Sequence, residues 1–151
     1  MSEATPLYKF QSALLFATTE HSDQYDKAGF PYILHPIRVA ACMDTEEEKV
    51  VAVLHDVVED NEHITIQDIE NQFGPDTARS VDAITRRDNE ELKDYLDRVL
   101  TDEIATRVKI KDMEDNLHIS RLSHLPISQQ LYLGHKYLVG RHYLTTGEWT
   151  G

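Results

Sequence analysis

Apolar residues recur at helical spacing through most of this chain, and no stretch shows the period-two alternation of a half-buried strand. The spacing predicts a first helix over residues 6–21 (PLYKFQSALLFATTEH), with Pro6 suited to a first helical turn. Residues 22–31 (SDQYDKAGFP) are rich in turn formers and predict a loop. A second helix is expected from Tyr32 to Met43. Asp44 and Thr45 offer an N-cap for a third, whose acidic first turn (Glu46, Glu47, Glu48) complements the helix dipole. That helix is expected to run on through VVAVLHDVVED to residue 60. Thr65 starts a short amphipathic helix closed by Gly74, and Pro75 opens another that reaches Arg87. Further helices are expected over 90–101, 102–121 and 126–144. The pattern predicts one all-α domain over residues 1–151, its tail 145–151 (TTGEWTG) loosely ordered unless Trp149 packs back.

Composition narrows the class. A chain of 151 residues that is 40% hydrophobic can bury a single core. No apolar run approaches the ~18 residues of a membrane span. The acidic N-terminus MSEATPLYKF lacks the apolar stretch of a secretory leader, so a cytoplasmic location is expected. The single cysteine, Cys42, excludes an internal disulfide and is expected to be a small buried apolar residue. The net charge of −12 argues against non-specific nucleic-acid binding, which draws on many Lys and Arg contacts to phosphate. A small anionic substrate needs only a local basic cluster beside a metal.

The string HDVVED at 55–60 then changes the picture. On a helix, His55 and Glu59, and Asp56 and Asp60, share a face. The flanking residues Val50, Val51, Val53, Leu54, Val57 and Val58 are apolar, and buried charge is costly unless it is paired or bound to metal. Glu59 and Asp60 at a helix C-terminus oppose the dipole, so they ask for another reason to be there. With His35 upstream and Asp112 downstream, the chain offers two imidazoles and two carboxylates from three helices, a set that suits Mn, Fe, Co, Ni or Zn. One cysteine rules out cysteine-based structural zinc.

The chain resembles the HD superfamily of metal-dependent phosphohydrolases, and within it the hydrolase domain of RelA/SpoT homologues and small alarmone hydrolases. The segments that carry the likeness are HSDQYDKAGFPYILHPIRVA at 21–40, VAVLHDVVED at 51–60, TIQDIENQFG at 65–74, AITRR at 83–87 and VKIKDMEDN at 108–116. The resemblance implies a bundle of six to eight helices, one Mn²⁺ and hydrolysis of the 3′-pyrophosphate of ppGpp or a related nucleotide. It assigns His35, His55, Asp56 and Asp112 as metal ligands, Glu59 and Asp60 as the catalytic acidic pair, and Asn116 to the nucleotide and attacking water.

Two departures bear on substrate. Asp26 stands where ppGpp-hydrolysing relatives usually carry arginine, leaving Lys27 as the nearby positive charge, and KDMEDN replaces the more usual ADRLHN around Asp112. Among the cations available for phosphate, Arg86 and Arg98 are favoured with Lys27, because arginine can bind phosphate with two parallel hydrogen bonds. Three other readings stay open: an HD-type phosphatase of a nucleoside monophosphate or dinucleotide cofactor, a nucleotide-binding regulator without turnover, and a structural or antitoxin-like interaction module, for which the sequence carries no dedicated surface signal. The expected partner is a small anionic nucleotide, with no non-specific nucleic-acid binding and no membrane; synthesis of ppGpp is not expected, since these residues leave no room for a synthetase domain.

Overall fold

In the computed structural model, which describes residues 6–151, the chain forms ten helices. They are α1 (Pro6–Glu20), α2 (Leu34–Ala41), α3 (Glu46–Leu54), α4 (Val57–Asp60), α5 (Ile66–Phe73), α6 (Pro75–Ile84), α7 (Leu92–Val99), α8 (Glu103–Leu117), α9 (Ile119–Leu122) and α10 (Ile127–Thr146). The all-α expectation is met. The count exceeds six to eight because α4 and α9 are single turns of four residues. An isolated bridge between Tyr25 and Pro31 closes the loop before α2. No described helix is long and apolar enough to cross a membrane. The expectation about a secretory leader rests partly on residues 1–5, which lie outside the described residues.

The centre of the bundle is α3. Val50, Val51, Ala52, Val53 and Leu54 are each at most 1% exposed, and a helix apolar on every side belongs in a core. Around it pack α1, α2, α6 and α8, and α8 in turn touches α7 and α10. The HDVVED string therefore leaves the end of the most buried helix, facing α8.

Local chemistry sets the helix ends. Thr45 accepts a hydrogen bond from the Glu48 N–H while the Glu48 side chain takes the Thr45 N–H, a capping box that starts α3; Thr65 and Asp68 do the same for α5. Three expected boundaries move. The helix opened by Pro75 stops at Ile84 rather than Arg87, because the Thr85 hydroxyl bonds the Val81 carbonyl at 2.7 Å and the Arg87 guanidinium takes the Asp82 and Thr85 carbonyls. The expected helix 102–121 splits at His118, whose extended backbone (ψ 133°) ends α8 and whose imidazole caps α9.

The helix expected through residue 60 breaks at His55–Asp56. The His55 imidazole donates to the Ala52 carbonyl at 2.5 Å, occupying the acceptor that a continuous helix would offer to the Asp56 N–H.

Cys42 is a correction: it is exposed. It falls one residue past the end of α2, at the C-cap, so the apolar lead-in stops supplying burial just before it. At the other end of the chain the tail turns back, and Trp149 packs edge-on against Tyr143 with centroids 5.4 Å apart.

Candidate metal centre and active site

His35 comes from the first turn of α2, His55 and Asp56 from the break after α3, and Asp112 from the middle of α8. Four potential ligand atoms, one from each, lie within 4.8 Å of one another. His35 Nε2 is 2.7 Å and His55 Nε2 3.3 Å from Asp112 Oδ1, and His55 Nε2 is 3.0 Å from Asp56 Oδ2. Both imidazoles are 2% exposed, too little for water to compensate a charge.

The surroundings aim these atoms inward. His55 Nδ1 donates to the Ala52 carbonyl and His35 Nδ1 to Asp115 Oδ2 at 2.6 Å, so in both rings Nε2 is the atom left for a ligand role. The Tyr32 hydroxyl donates to Asp56 Oδ2 at 2.6 Å. Lys109 Nζ lies 2.7 Å from Asp112 Oδ2, and Asn116 Nδ2 donates to Asp112 Oδ1 at 3.2 Å. A divalent ion fits this donor set: two oriented imidazole nitrogens and two carboxylates, each already supported from behind.

The electrostatics describe a strongly coupled cluster. Burial pulls the two histidines down, yet the adjoining carboxylates win and hold both above the ordinary imidazole value. For Asp112 burial acts upward, but Lys109 and the histidines keep it well below the usual carboxylate range. Glu59 is raised, first by desolvation and then by Asp56, and Asp60 is pushed up to about 7 by desolvation with Asp56 and Glu59.

Asp56 and Asp112 open onto a cavity of about 420 Å³. Glu59, Lys27, Arg86, Lys109, Asn116 and Lys136 line it. The Glu59 carboxylate is fixed by the Arg86 backbone N–H at 2.7 Å. The structure thus gathers the four proposed ligands with Glu59, Asn116, Lys27 and Arg86. Asp60 and Arg98 are not among the lining residues. Arg98 is spent on the Glu90 carboxylate and the Thr85 carbonyl, bracing the turn between α6 and α7. Asp26 lines the cavity, but its Oδ1 accepts the Ala28 and Phe30 N–H groups, each at 2.9 Å, so it also shapes the loop.

Sequence reasoning missed Arg121, Lys136 and Tyr137, which α9 and α10 bring to the cavity. Their one signal is compositional: between residues 116 and 147 there is no Asp or Glu in a chain that carries 27.

Comparison with known proteins adds the lineage. A family model described as "HD domain" matches residues 13–109. The guanosine-3′,5′-bis(diphosphate) 3′-pyrophosphohydrolase of Aquifex aeolicus is 31% identical over 118 residues, covering 72% of this chain and 17% of that protein. The bifunctional (p)ppGpp synthase/hydrolase SpoT of Escherichia coli is 36% identical over 91 residues, 57% of this chain and 13% of that one. The chain therefore spans well under a fifth of these relatives' length. A solved structure of a metazoan orthologue of SpoT, described as hydrolysing ppGpp, superposes with a TM-score of 0.72 at 25% identity over 93% of this chain and 88% of that one. With the matched family model spanning the helices that carry three of the four clustered residues, the chain belongs to the HD-domain superfamily of metal-dependent phosphohydrolases, on the branch related to the RelA/SpoT hydrolase domain.

Proposed function

We propose that this chain is a Mn²⁺-dependent pyrophosphohydrolase that removes the 3′-pyrophosphate of ppGpp or a closely related nucleotide. The observation that carries the reading is the His35, His55, Asp56 and Asp112 cluster beside a cavity whose wall bears the Glu59 carboxylate and five cations, Lys27, Arg86, Lys109, Arg121 and Lys136. The relatives named for guanosine-3′,5′-bis(diphosphate) hydrolysis support the choice of substrate.

His35, His55, Asp56 and Asp112 would hold the ion, which supplies charge neutralisation at the phosphate and makes water a better nucleophile near neutral pH. Glu59 orients the attacking water and accepts its proton. Its raised pKa moves it toward the operating pH, where a general base is most effective. The water oxygen joins the phosphorus attached to the 3′ oxygen, that P–O bond breaks on the opposite side, the 3′ oxygen takes a proton from solvent, and Glu59 gives the proton it accepted back to solvent. Asn116 lies beside Asp112 and faces the water and nucleotide. Lys27, Arg86 and Lys136 meet the phosphates. Lys109 stays close to Asp112 and balances its charge. Asp60 acts through Asp56 and Glu59, since it does not line the cavity.

The test is a panel of nucleotides incubated with purified protein and Mn²⁺, with products separated by chromatography. GDP and pyrophosphate from ppGpp are expected. Inorganic phosphate released from a nucleoside monophosphate or a dinucleotide cofactor, with ppGpp untouched, would move the substrate to another nucleotide. Saturable ppGpp binding without any product would make the chain a regulator.

A further inference from the structure

We infer that Asp115 is a positioning residue of the metal centre, holding His35 in the tautomer that leaves Nε2, the nitrogen facing the cluster, free to bind a metal. The inference rests on the metal-site reading above and concerns a residue that the family motif does not assign, since the usual ADRLHN pattern has histidine there.

An imidazole that ligates through Nε2 must carry its proton on Nδ1, and that N–H needs an acceptor. His55 uses a backbone carbonyl, that of Ala52. The corresponding carbonyl for His35 belongs to Tyr32; it accepts the His35 backbone N–H at 3.1 Å but no bond from the His35 ring. His35 Nδ1 instead faces two groups of opposite demand: Asp115 Oδ2 at 2.6 Å and Arg121 Nη1 at 2.5 Å. A guanidinium only donates. Left alone with Nδ1, Arg121 would claim its lone pair and place the ring proton on Nε2, where it faces Asp112 instead of a metal. Asp115 reverses that outcome by accepting from both, from Nδ1 and from Arg121 Nη1 at 2.7 Å. Its other oxygen accepts from Arg38 Nε at 2.9 Å, so the carboxylate is clamped between two guanidinium groups while it serves a buried ring.

The test is calorimetric titration of metal-free protein with Mn²⁺, well below its melting temperature, on four variants. Asp115→Ala should bind Mn²⁺ about 10- to 100-fold more weakly, the usual cost of losing a group that supports a ligand. Asp115→Ala combined with Arg121→Ala should bind more tightly than Asp115→Ala alone, because the competing donor has gone. Arg121→Ala alone supplies the fourth corner of the cycle. His55→Ala should abolish binding and is the control for the site itself. Wild-type affinity in His55→Ala would refute the metal-site reading. Loss in His55→Ala with Asp115→Ala within twofold of wild type would overturn the role of Asp115 alone. So would a double variant that recovers nothing over Asp115→Ala, the result for a residue that merely ties α8 to α2 and α9.

Discussion

At the scale of single residues, burial and hydrogen bonding separate what touches substrate from what holds the frame. Glu59 is the sharpest case. Glu59→Gln keeps the side chain's size and its bond from the Arg86 N–H while removing the proton acceptor. The expected outcome is a loss in kcat of roughly 10²–10⁴-fold with Mn²⁺ content unchanged, read by steady-state kinetics and elemental analysis; activity within a few-fold of wild type would return Glu59 to a structural role. Asp26 changes meaning in the structure. Where ppGpp-hydrolysing relatives carry arginine, a carboxylate repels polyphosphate, and on that ground Asp26→Arg should lower KM for ppGpp. Its carboxylate also ties the Ala28 and Phe30 N–H groups, so the same variant removes a turn and should lower the melting temperature as well. Asp26→Asn keeps an oxygen for the turn and removes the charge, and is the variant that reads the electrostatic part: a lower KM for ppGpp with little change in melting is expected. The metal residues were legible because HD, His35 and Asp112 stand in recognisable strings. Arg121, Lys136 and Asp115 were not, because only folding brings α8, α9 and α10 against the loop before α2.

At the scale of elements, caps were readable and interruptions were not. Thr45 and Thr65 announced α3 and α5 because a cap is a local bargain between residues three apart. Breaking one at α3 should cost about 1 kcal/mol in a Thr45→Ala variant, measured by denaturant unfolding. The breaks at His55, Thr85 and His118 came from side chains capturing nearby carbonyls or amides, a choice that periodicity does not encode. Arg98 belongs to this scale, since it fastens the α6–α7 turn through Glu90 and the Thr85 carbonyl. Its bond to Glu90 holds that carboxyl down at about 2. A depressed carboxyl stabilises the fold above its ordinary value and loses that contribution as pH falls through the folded value. The melting-temperature gap between wild type and Arg98→Met should therefore be full above pH 4.5 and close as pH falls toward about 2. A gap that stays constant over that range would show that packing, rather than the ion pair, sets the cost.

At the scale of the whole molecule, two facts connect a net charge of −12 to a cavity lined by five cations. All but one of its acidic residues lie before residue 116, and the acid-free segment that follows folds over the metal cluster to bring Arg121 and Lys136 to the cavity. Lys136→Met should raise KM for ppGpp more than it lowers kcat, because a charge set back from the reacting phosphorus contributes similarly to substrate and transition state. The second fact is that the ligand set joins α2, the α3–α4 break and α8, elements distant in sequence. In the absence of an ion these buried groups rely on one another, on Lys109 and on Asp115 to neutralise their charges. An ion that binds the folded chain alone stabilises it by mass action, about 2.7 kcal/mol when free metal is 100 times the dissociation constant. Wild type should therefore melt several degrees lower after chelation and recover with added Mn²⁺. Asp112→Asn should melt at one temperature in both conditions, since it removes a carboxylate from the cluster while leaving α8 intact. A chelator effect of equal size in wild type and Asp112→Asn would place the stabilising ion somewhere other than between these three helices.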